Sequence, residues 1–139
     1  MHSKVIVLGV AALLTSAVAP AAENTLGKSE YQARCAMCHG PAGKSDGWLA
    51  DNLIKRPPAL TQLKKNNGGV FPLAGVTEFI DGRKTTALHG PRDMPVWGTV
   101  YRTEEKAASA ARPAALTSED KLVHAKIRAL ANYIQQLQD

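Results

Sequence analysis

Cys35-Ala36-Met37-Cys38-His39 is the stretch of this 139-residue chain from which the rest is interpreted. It places two thiols one short turn apart, with an imidazole directly after the second. This spacing is the signature of covalent haem attachment, because the two thiols can add to the two vinyl groups of one porphyrin while the imidazole ligates the iron. The run therefore predicts one haem, held through Cys35 and Cys38, with His39 as an iron ligand.

Cysteine pairs at this spacing also occur in thiol oxidoreductases and in zinc sites. A thioredoxin-like motif follows a strand in a βαβ unit, whereas residues 26–36 show no alternation of apolar and polar residues. A structural zinc site needs four ligands, but the chain has two cysteines, and its other histidines stand singly at His2, His89 and His124. The alternative that remains open is a plain disulfide between the two cysteines of the motif.

The first residues of the chain have the pattern of a secretory signal peptide. A short basic lead precedes the apolar run Val5 to Val18, and small residues follow it. The apolar run falls short of the roughly 20 residues that span a bilayer. We therefore expect residues 1–21 to be removed as a signal peptide. Residues 22–139 are then one domain without stable membrane insertion, located in the periplasm, where bacteria attach haem to such motifs. Because Pro20 lies beside the cleavage site, an uncleaved anchor remains the alternative.

Composition and charge limit the functions that this chain can have. Removal of 21 residues leaves 139 − 21 = 118, enough for one small domain. Aromatic residues make up only 5% of the chain, so a buried haem would supply much of the apolar centre. The formal charge of +5 falls to 5 − 1 = +4 when Lys4 is removed, and two haem propionates lower it to about +2. This small positive net charge, in a chain without a stretch of interleaved basic and aromatic residues, argues against nucleic acid as a partner.

Helices are predicted at both ends of the mature domain. Residues 26–36 have no breaker after Gly27 and lead into the haem motif. Near the other end, Thr117 or Ser118 can cap a helix whose first turn is acidic. Apolar residues recur there at steps of three or four and make one continuous face: Val123, Ile127, Leu130, Ile134 and Leu137.

The middle of the chain is less regular and shows no strand periodicity. Residues 40–47 are rich in Gly, Pro and small polar residues and are predicted to be a loop. Tyr101 to Leu116 is an Ala-rich stretch interrupted by Pro113. We expect a frayed helix or a surface insertion there, with no part in the chemistry. Short helices that end at Pro or Gly are predicted at 48–55, 61–66 and 77–81.

Haem iron needs a second axial ligand, for which Met and His side chains are the candidates. Met94 lies between Pro91 and Pro95 in a stretch too rich in proline and glycine for regular helix, which predicts a structured loop. A stiff loop suits a weak thioether ligand, although a lone methionine also serves as core filling. We favour Met94, with His89, close to it in sequence, as the rival ligand. His124 lies at the flank of the last helix and is expected at the surface.

Together these features resemble class I cytochromes c over nearly all of the mature chain. Gly27 and Tyr31 stand where that family has a small and an aromatic residue on its first helix, and Leu130 and Tyr133 match the pair on its last helix. The resemblance implies an all-α, cytochrome c-like fold. In this fold the N- and C-terminal helices cross at these four residues, while short helices and loops wrap one covalently bound haem.

Two further stretches extend the resemblance to the ligands. Pro58-Ala59-Leu60 is similar to the Pro-x-Leu segment of the family, whose proline carbonyl accepts a hydrogen bond from the proximal imidazole, here His39. Ile80 to Arg83, followed by His89 to Gly98, resembles small periplasmic monohaem members, in which the methionine, here Met94, is the distal ligand. The chain departs from the shortest members in the longer spacing between the proximal histidine and this proline, which leaves the partner surface undecided.

The resemblance implies a one-electron carrier with His/Met ligation, and not an enzyme, because both axial positions are filled. The expected partners are redox proteins, namely a periplasmic dehydrogenase, the cytochrome bc1 complex or a terminal oxidase. The chain would meet them as a monomer or within a redox complex. Two alternatives remain, a haem subunit of a larger periplasmic dehydrogenase or sulfur-oxidising complex, and a five-coordinate ligand-binding haem protein in which Met94 is labile. Basic residues that could steer an acidic partner lie in the middle of the chain: Lys55, Arg56, Lys64, Lys65, Arg83, Lys84 and Arg92.

Overall fold

The computed structural model describes residues 19–84, 94–110 and 119–139, with side chains from Ala22 onward. These ranges are mainly helical and contain no strand, so the all-α prediction is confirmed. Most of the predicted signal peptide, the rival ligand His89 and the predicted caps Thr117 and Ser118 lie outside the described residues. The helices are α1 (Ala19–Arg34), α2 (Ala36–His39), α3 (Leu63–Asn66), α4 (Leu73–Asp81), α5 (Trp97–Ser109) and α6 (Glu119–Gln136), with 3-10 turns at Ala50–Asn52 and Leu60–Gln62.

Helix α1 begins before its predicted start and runs to Arg34. Helical hydrogen bonding continues through the motif, because Cys35 N–H donates to Tyr31 O at 2.9 Å and His39 N–H donates to Cys35 O at 2.8 Å. Gly40, whose φ of +82° lies in the left-handed region, then follows α2. The motif thus occupies a single turn at the carboxyl end of the first helix.

Helices α1 and α6 cross at the residues that the resemblance indicated. Gly27 lies directly against Ala129 and Tyr133 of α6. The rings of Tyr31 and Tyr133 are 5.3 Å apart between centroids. Tyr31 and Leu130 are both 0% exposed. The predicted crossing of the terminal helices is confirmed.

Helix α6 also confirms the predicted apolar face. Its first turn carries Glu119 and Asp120, where negative charge is favoured by the helix dipole. It packs against α1, α4 and α5, so its apolar stripe is the surface on which the domain is assembled. In the described part of the chain, no helix combines the length and apolarity needed to cross a membrane. The face consists of Val123, Ile127, Leu130 and Ile134, all buried, with Leu137 packed at its edge.

The expectation of a frayed helix or surface insertion was wrong for residues 101–109, which continue α5. Tyr101 is 0% exposed and belongs to the core. Its hydroxyl donates to Glu30 Oε2 of α1 at 2.9 Å. One turn later, the buried Glu105 accepts a hydrogen bond from Lys126 of α6 at 2.6 Å. Helix α5 is therefore a core element, anchored to both neighbours through partners that are distant in sequence.

The predicted helix at 48–55 is reduced to the 3-10 turn Ala50–Asn52. Trp48 is 76% exposed and Ile54 is 90% exposed. Ala50, at 1% exposed, is the buried apolar residue of this segment, and one small side chain offers little of the packing on which short helices in water depend for stability.

The other two short helices form with shifted boundaries. The segment predicted at 61–66 is the turn Leu60–Gln62 followed by α3. The helix predicted at 77–81 already begins at Leu73, because Val76 packs against the core one turn before Ile80.

Candidate haem site

Cys35, Cys38 and His39 share one helical turn. The amide groups of Cys38 and His39 both donate to Cys35 O, at 3.1 and 2.8 Å. Both cysteines are free thiols and are not joined in a disulfide, so both sulfurs are available for thioether bonds. Two thiols and an adjacent imidazole are the donor set that covalent haem attachment requires. The residues present fit that group.

Cys35 has the environment of a buried thiol. It is 6% exposed and belongs to the core cluster. Burial, followed by the negative charge of Glu30, raises the pKa of this thiol to about 12. Reactive cysteines of thiol oxidoreductases have a lowered pKa. The surroundings of Cys35 therefore argue against that class of site.

The ring of His39 is oriented by a backbone carbonyl. Its Nδ1 lies 3.2 Å from Pro58 O, and because a carbonyl can only accept, Nδ1 is the donor. The other ring nitrogen, Nε2, then keeps its lone pair, which is the form in which imidazole binds a metal. Burial lowers the pKa of His39, although the hydrogen bond to Pro58 acts in the opposite direction. The environment thus favours the neutral ring that a ligand must have.

Ser45 holds the proline segment in place, and no sequence pattern pointed to it. Its hydroxyl donates to Pro57 O, while its own carbonyl accepts from Arg56 Nη1 at 2.7 Å. Its N–H donates to His39 O at 2.8 Å. Ser45 is 8% exposed, and its φ of +67° is uncommon for a residue other than glycine. This one residue joins the loop after the motif to the backbone that contacts the imidazole.

Met94 is partly buried and packs against the core cluster, as does Trp97. Core filling and iron ligation both require a thioether in the apolar interior, so the ligand role of Met94 stays a prediction. Its rival His89 falls within residues 85–93, which lie outside the described part of the chain.

Arg34, the residue before the motif, joins α1 to α5. Its guanidinium binds Glu30 at 3.0 Å and Glu104 at 2.8 Å. It also lies over two aromatic rings, 5.6 Å from the centroid of Trp97 and 5.1 Å from that of Tyr101, at a distance typical of cation–π contacts. No sequence pattern pointed to this cluster, because its members come from two helices that only the fold brings together.

Three features together define a class I c-type cytochrome. They are the crossing terminal helices, the attachment motif at the end of the first helix, and the Pro58 carbonyl that accepts a hydrogen bond from the histidine of that motif. The sequence model of the family "cytochrome C oxidase, cbb3-type, subunit III" matches residues 22–112. Since this is well over half of the chain, the chain belongs to that family, and the matched region is a c-type cytochrome domain. Such a domain carries covalently bound haem and transfers electrons. No curated protein and no solved structure matched the chain.

Proposed function

We propose that this chain is a periplasmic one-electron carrier with a single haem c, attached through Cys35 and Cys38 and ligated by His39 and Met94. The observation that carries the proposal is the 3.2 Å hydrogen bond between His39 Nδ1 and Pro58 O. It stands beside a motif that lies in a c-type cytochrome domain. When bound, haem supplies an iron atom that alternates between the ferrous and ferric states.

Each side chain of the site has a separate task. The two cysteine sulfurs hold the cofactor covalently, and His39 offers the lone pair of Nε2. The carbonyl of Pro58 keeps the imidazole ring in one orientation and makes Nε2 a stronger electron-pair donor to a metal. The thioether of Met94 is a weaker second ligand, and His/Met ligation raises the reduction potential relative to two histidines. If His39 and Met94 both bound the iron, no coordination position would remain for a substrate, so the proposed function is electron transfer and not catalysis.

Export to the periplasm is part of the proposal. It is supported by the basic lead, apolar run and small residues within residues 1–21. The family match begins at residue 22, the first residue after the proposed signal peptide. Mass spectrometry of the haem-loaded protein from its own cells should find the chain shortened at this point. A full-length N-terminus would instead support the uncleaved anchor.

Exposed positive charge supports docking to an acidic redox partner. At low ionic strength, such charges accelerate encounter with a surface of opposite sign. We therefore expect the rate of electron transfer to the partner to fall as salt is added. Arg92 lies outside the described residues; the six other basic residues of the predicted group are exposed: Lys55, Arg56, Lys64, Lys65, Arg83 and Lys84.

A second candidate function is that of an electron-transfer subunit inside a larger redox complex. The description of the family, a subunit of a cytochrome c oxidase, favours it. Haem-stained native gels of gently extracted source cells would distinguish the two. A band at the mass of the chain alone supports the diffusing carrier, and a band that migrates with larger chains supports the subunit.

The test of the ligand set is the optical spectrum of the air-oxidised, haem-loaded protein. A weak far-red band reports methionine bound to ferric iron, and we expect it in the wild type and not in Met94→Ala. Met37→Ala is the matched control, because Met37 lies inside the attachment motif and is 37% exposed. This control should keep the band.

Three results would contradict the proposed ligands. A band that survives in Met94→Ala would show that another methionine binds the iron. A low-spin wild type without the band would show that a group other than methionine is bound, and loss of low-spin character in His89→Ala would then identify the rival. A wild type without the band, with a high-spin spectrum and rapid binding of carbon monoxide when reduced, would indicate a ligand-binding haem protein.

A further inference from the structure

Asp81 is a buried carboxylate at the point where α4 ends. It is 3% exposed, and it lies among charged partners. Its Oδ2 accepts from Arg83 Nε at 2.5 Å, and its Oδ1 accepts from Arg102 Nη2 at 3.2 Å. The two arginines come from different places, one just after α4 and the other on α5. One carboxylate therefore joins the chain on both sides of Met94.

The backbone on the two sides of Met94 is in direct contact as well. A β-carbon on Gly98, in the first turn of α5, would lie 1.9 Å from Asp81 Oδ1 and 2.5 Å from Asp81 O. Gly82 has a φ of +88°, and a β-carbon there would lie 2.3 Å from Val96 Cγ1. The end of α4 and the start of α5 thus touch at two neighbouring positions where a larger side chain would not fit.

The charge of Asp81 suits this place. The first turn of a helix presents unpaired N–H groups and a partial positive charge. Val96, the residue that precedes α5, provides no side-chain cap. The carboxylate of Asp81 lies against this first turn, beside Gly98, and Arg102 approaches it from one turn further along α5. Asp81 therefore stabilises α5 in one position relative to α4.

Met94 lies two residues before Val96 and four before Gly98, so its position depends on where α5 begins. We propose that Asp81 is a positioning residue, which holds the start of α5 against the end of α4 and thereby keeps the Met94 thioether in place for the iron. This inference rests on the proposed His39/Met94 ligation. Asp81 acts through the backbone that leads to Met94.

The test uses the full haem-loaded chain and the variant Asp81→Asn, which keeps the shape of the side chain and removes its charge. Carbon monoxide binds the reduced iron only after methionine has left, so its binding rate measures how firmly Met94 is held. We expect this rate to rise by about tenfold, the effect of losing one hydrogen bond to a charged group. The far-red band should also disappear on heating before the helices unfold, as followed by far-ultraviolet circular dichroism.

Glu105→Gln is the matched control. Glu105 is another buried carboxylate, in α5, and it binds Lys126 at 2.6 Å. This variant should lower the unfolding temperature without changing the rate of carbon monoxide binding. If the two variants change the rate equally, Asp81 has only a structural role and the proposal is overturned. An unchanged rate in Asp81→Asn overturns it too.

A second variant covers the case in which Asp81→Asn does not fold. Arg102→Gln removes one partner of Asp81 from a side chain that is 44% exposed, so folding should survive. We expect a smaller increase of the same rate, and no increase would count against the proposal. Failure of the proposed function has a different signature, because the far-red band would then be absent from the wild type before any substitution is made.

Discussion

Gly27 of α1 lies so close to Ala129 of α6 that a β-carbon at position 27 would be 2.1 Å from the carbonyl oxygen of Ala129. Nothing larger than hydrogen fits between the two backbones at this point. The contact sets the separation of the terminal helices. Because the haem motif follows directly from α1, the contact between Gly27 and Ala129 also sets where the attachment cysteines lie relative to α6.

Gly27→Ala should therefore destabilise the protein, although alanine is the better helix former. The added methyl group meets backbone and cannot be accommodated by a rotamer change, and such overpacking costs about 1–3 kcal/mol. Urea denaturation of the haem-loaded protein measures the loss. Gly75→Ala is the control, since the nearest atom to a β-carbon there is Lys84 Nζ at 3.7 Å. That variant should match the wild type or gain up to about 1 kcal/mol. Equal stability of Gly27→Ala and wild type would show that the helices can separate freely.

Arg34→Met should lower the free energy of unfolding by about 1–3 kcal/mol, because it leaves the carboxylate of Glu30 without its charged partner. The side chain of Glu30 is only 15% exposed, so water replaces the lost contact poorly. Arg128→Met is the matched control. The pair that Arg128 forms with Glu23 has side chains that are 67% and 33% exposed, and such pairs contribute about 1 kcal/mol or less. Thermal and urea unfolding measure both variants. If Arg34→Met and Arg128→Met lose the same amount of stability, the role given to the Arg34 cluster is contradicted.

Stability should fall in alkaline solution through Tyr101. Burial, followed by the neighbouring Glu30, raises the pKa of Tyr101 above its ordinary value of 10.0. As pH rises above that value, the unfolded chain releases the phenolic proton while the folded chain retains it. The free energy of unfolding therefore decreases as pH rises in this range. The stabilisation that Tyr101 provides is fully present only below pH 10.

Tyr101→Phe should flatten this decrease. The variant loses a hydrogen bond at neutral pH, worth about 1 kcal/mol, but it has no proton to release on unfolding. Urea titrations at a series of pH values above 9 compare the two slopes. Parallel curves for variant and wild type would show that Tyr101 does not contribute to the alkaline loss.

Ser45 offers a test of backbone conformation beside the imidazole. Ser45→Ala loses the hydrogen bond from Oγ to Pro57 O and keeps a β-carbon at a φ of +67°. Ser45→Gly loses the same bond but adopts that φ without strain. We expect the glycine variant to be more stable than the alanine variant by about 1 kcal/mol, as measured by thermal unfolding. The reverse order would indicate that the backbone relaxes away from this conformation.

The predictions made from sequence succeeded where a short window contains all the information. The motif is one helical turn, and the apolar stripe of α6 from Val123 to Ile134 repeats along one element. Both follow from helix geometry alone. The crossing at Gly27 was also predicted, but from resemblance to a family and not from any local pattern.

No local pattern indicated that α5 is a core helix, because the residues that anchor it are remote in sequence. Tyr101 bonds to Glu30, 71 residues away, and Lys126 binds Glu105 across 21 residues. Seen alone, the stretch is Ala-rich and charged, which is also the composition of a solvated helix. Only the packed neighbours distinguish a buried tyrosine from an exposed one.

The sequence by itself determined the chemistry of this protein, because Cys35, Cys38 and His39 are kept together by the covalent geometry of one turn. The tertiary structure decided how the chemistry is held in place. It brought Pro58 O to the imidazole, Ala129 to Gly27, and Gly98 of α5 to Asp81 at the end of α4. These contacts join segments that no local pattern relates, and they form because burying the apolar faces of α1, α5 and α6 leaves few arrangements of the backbone.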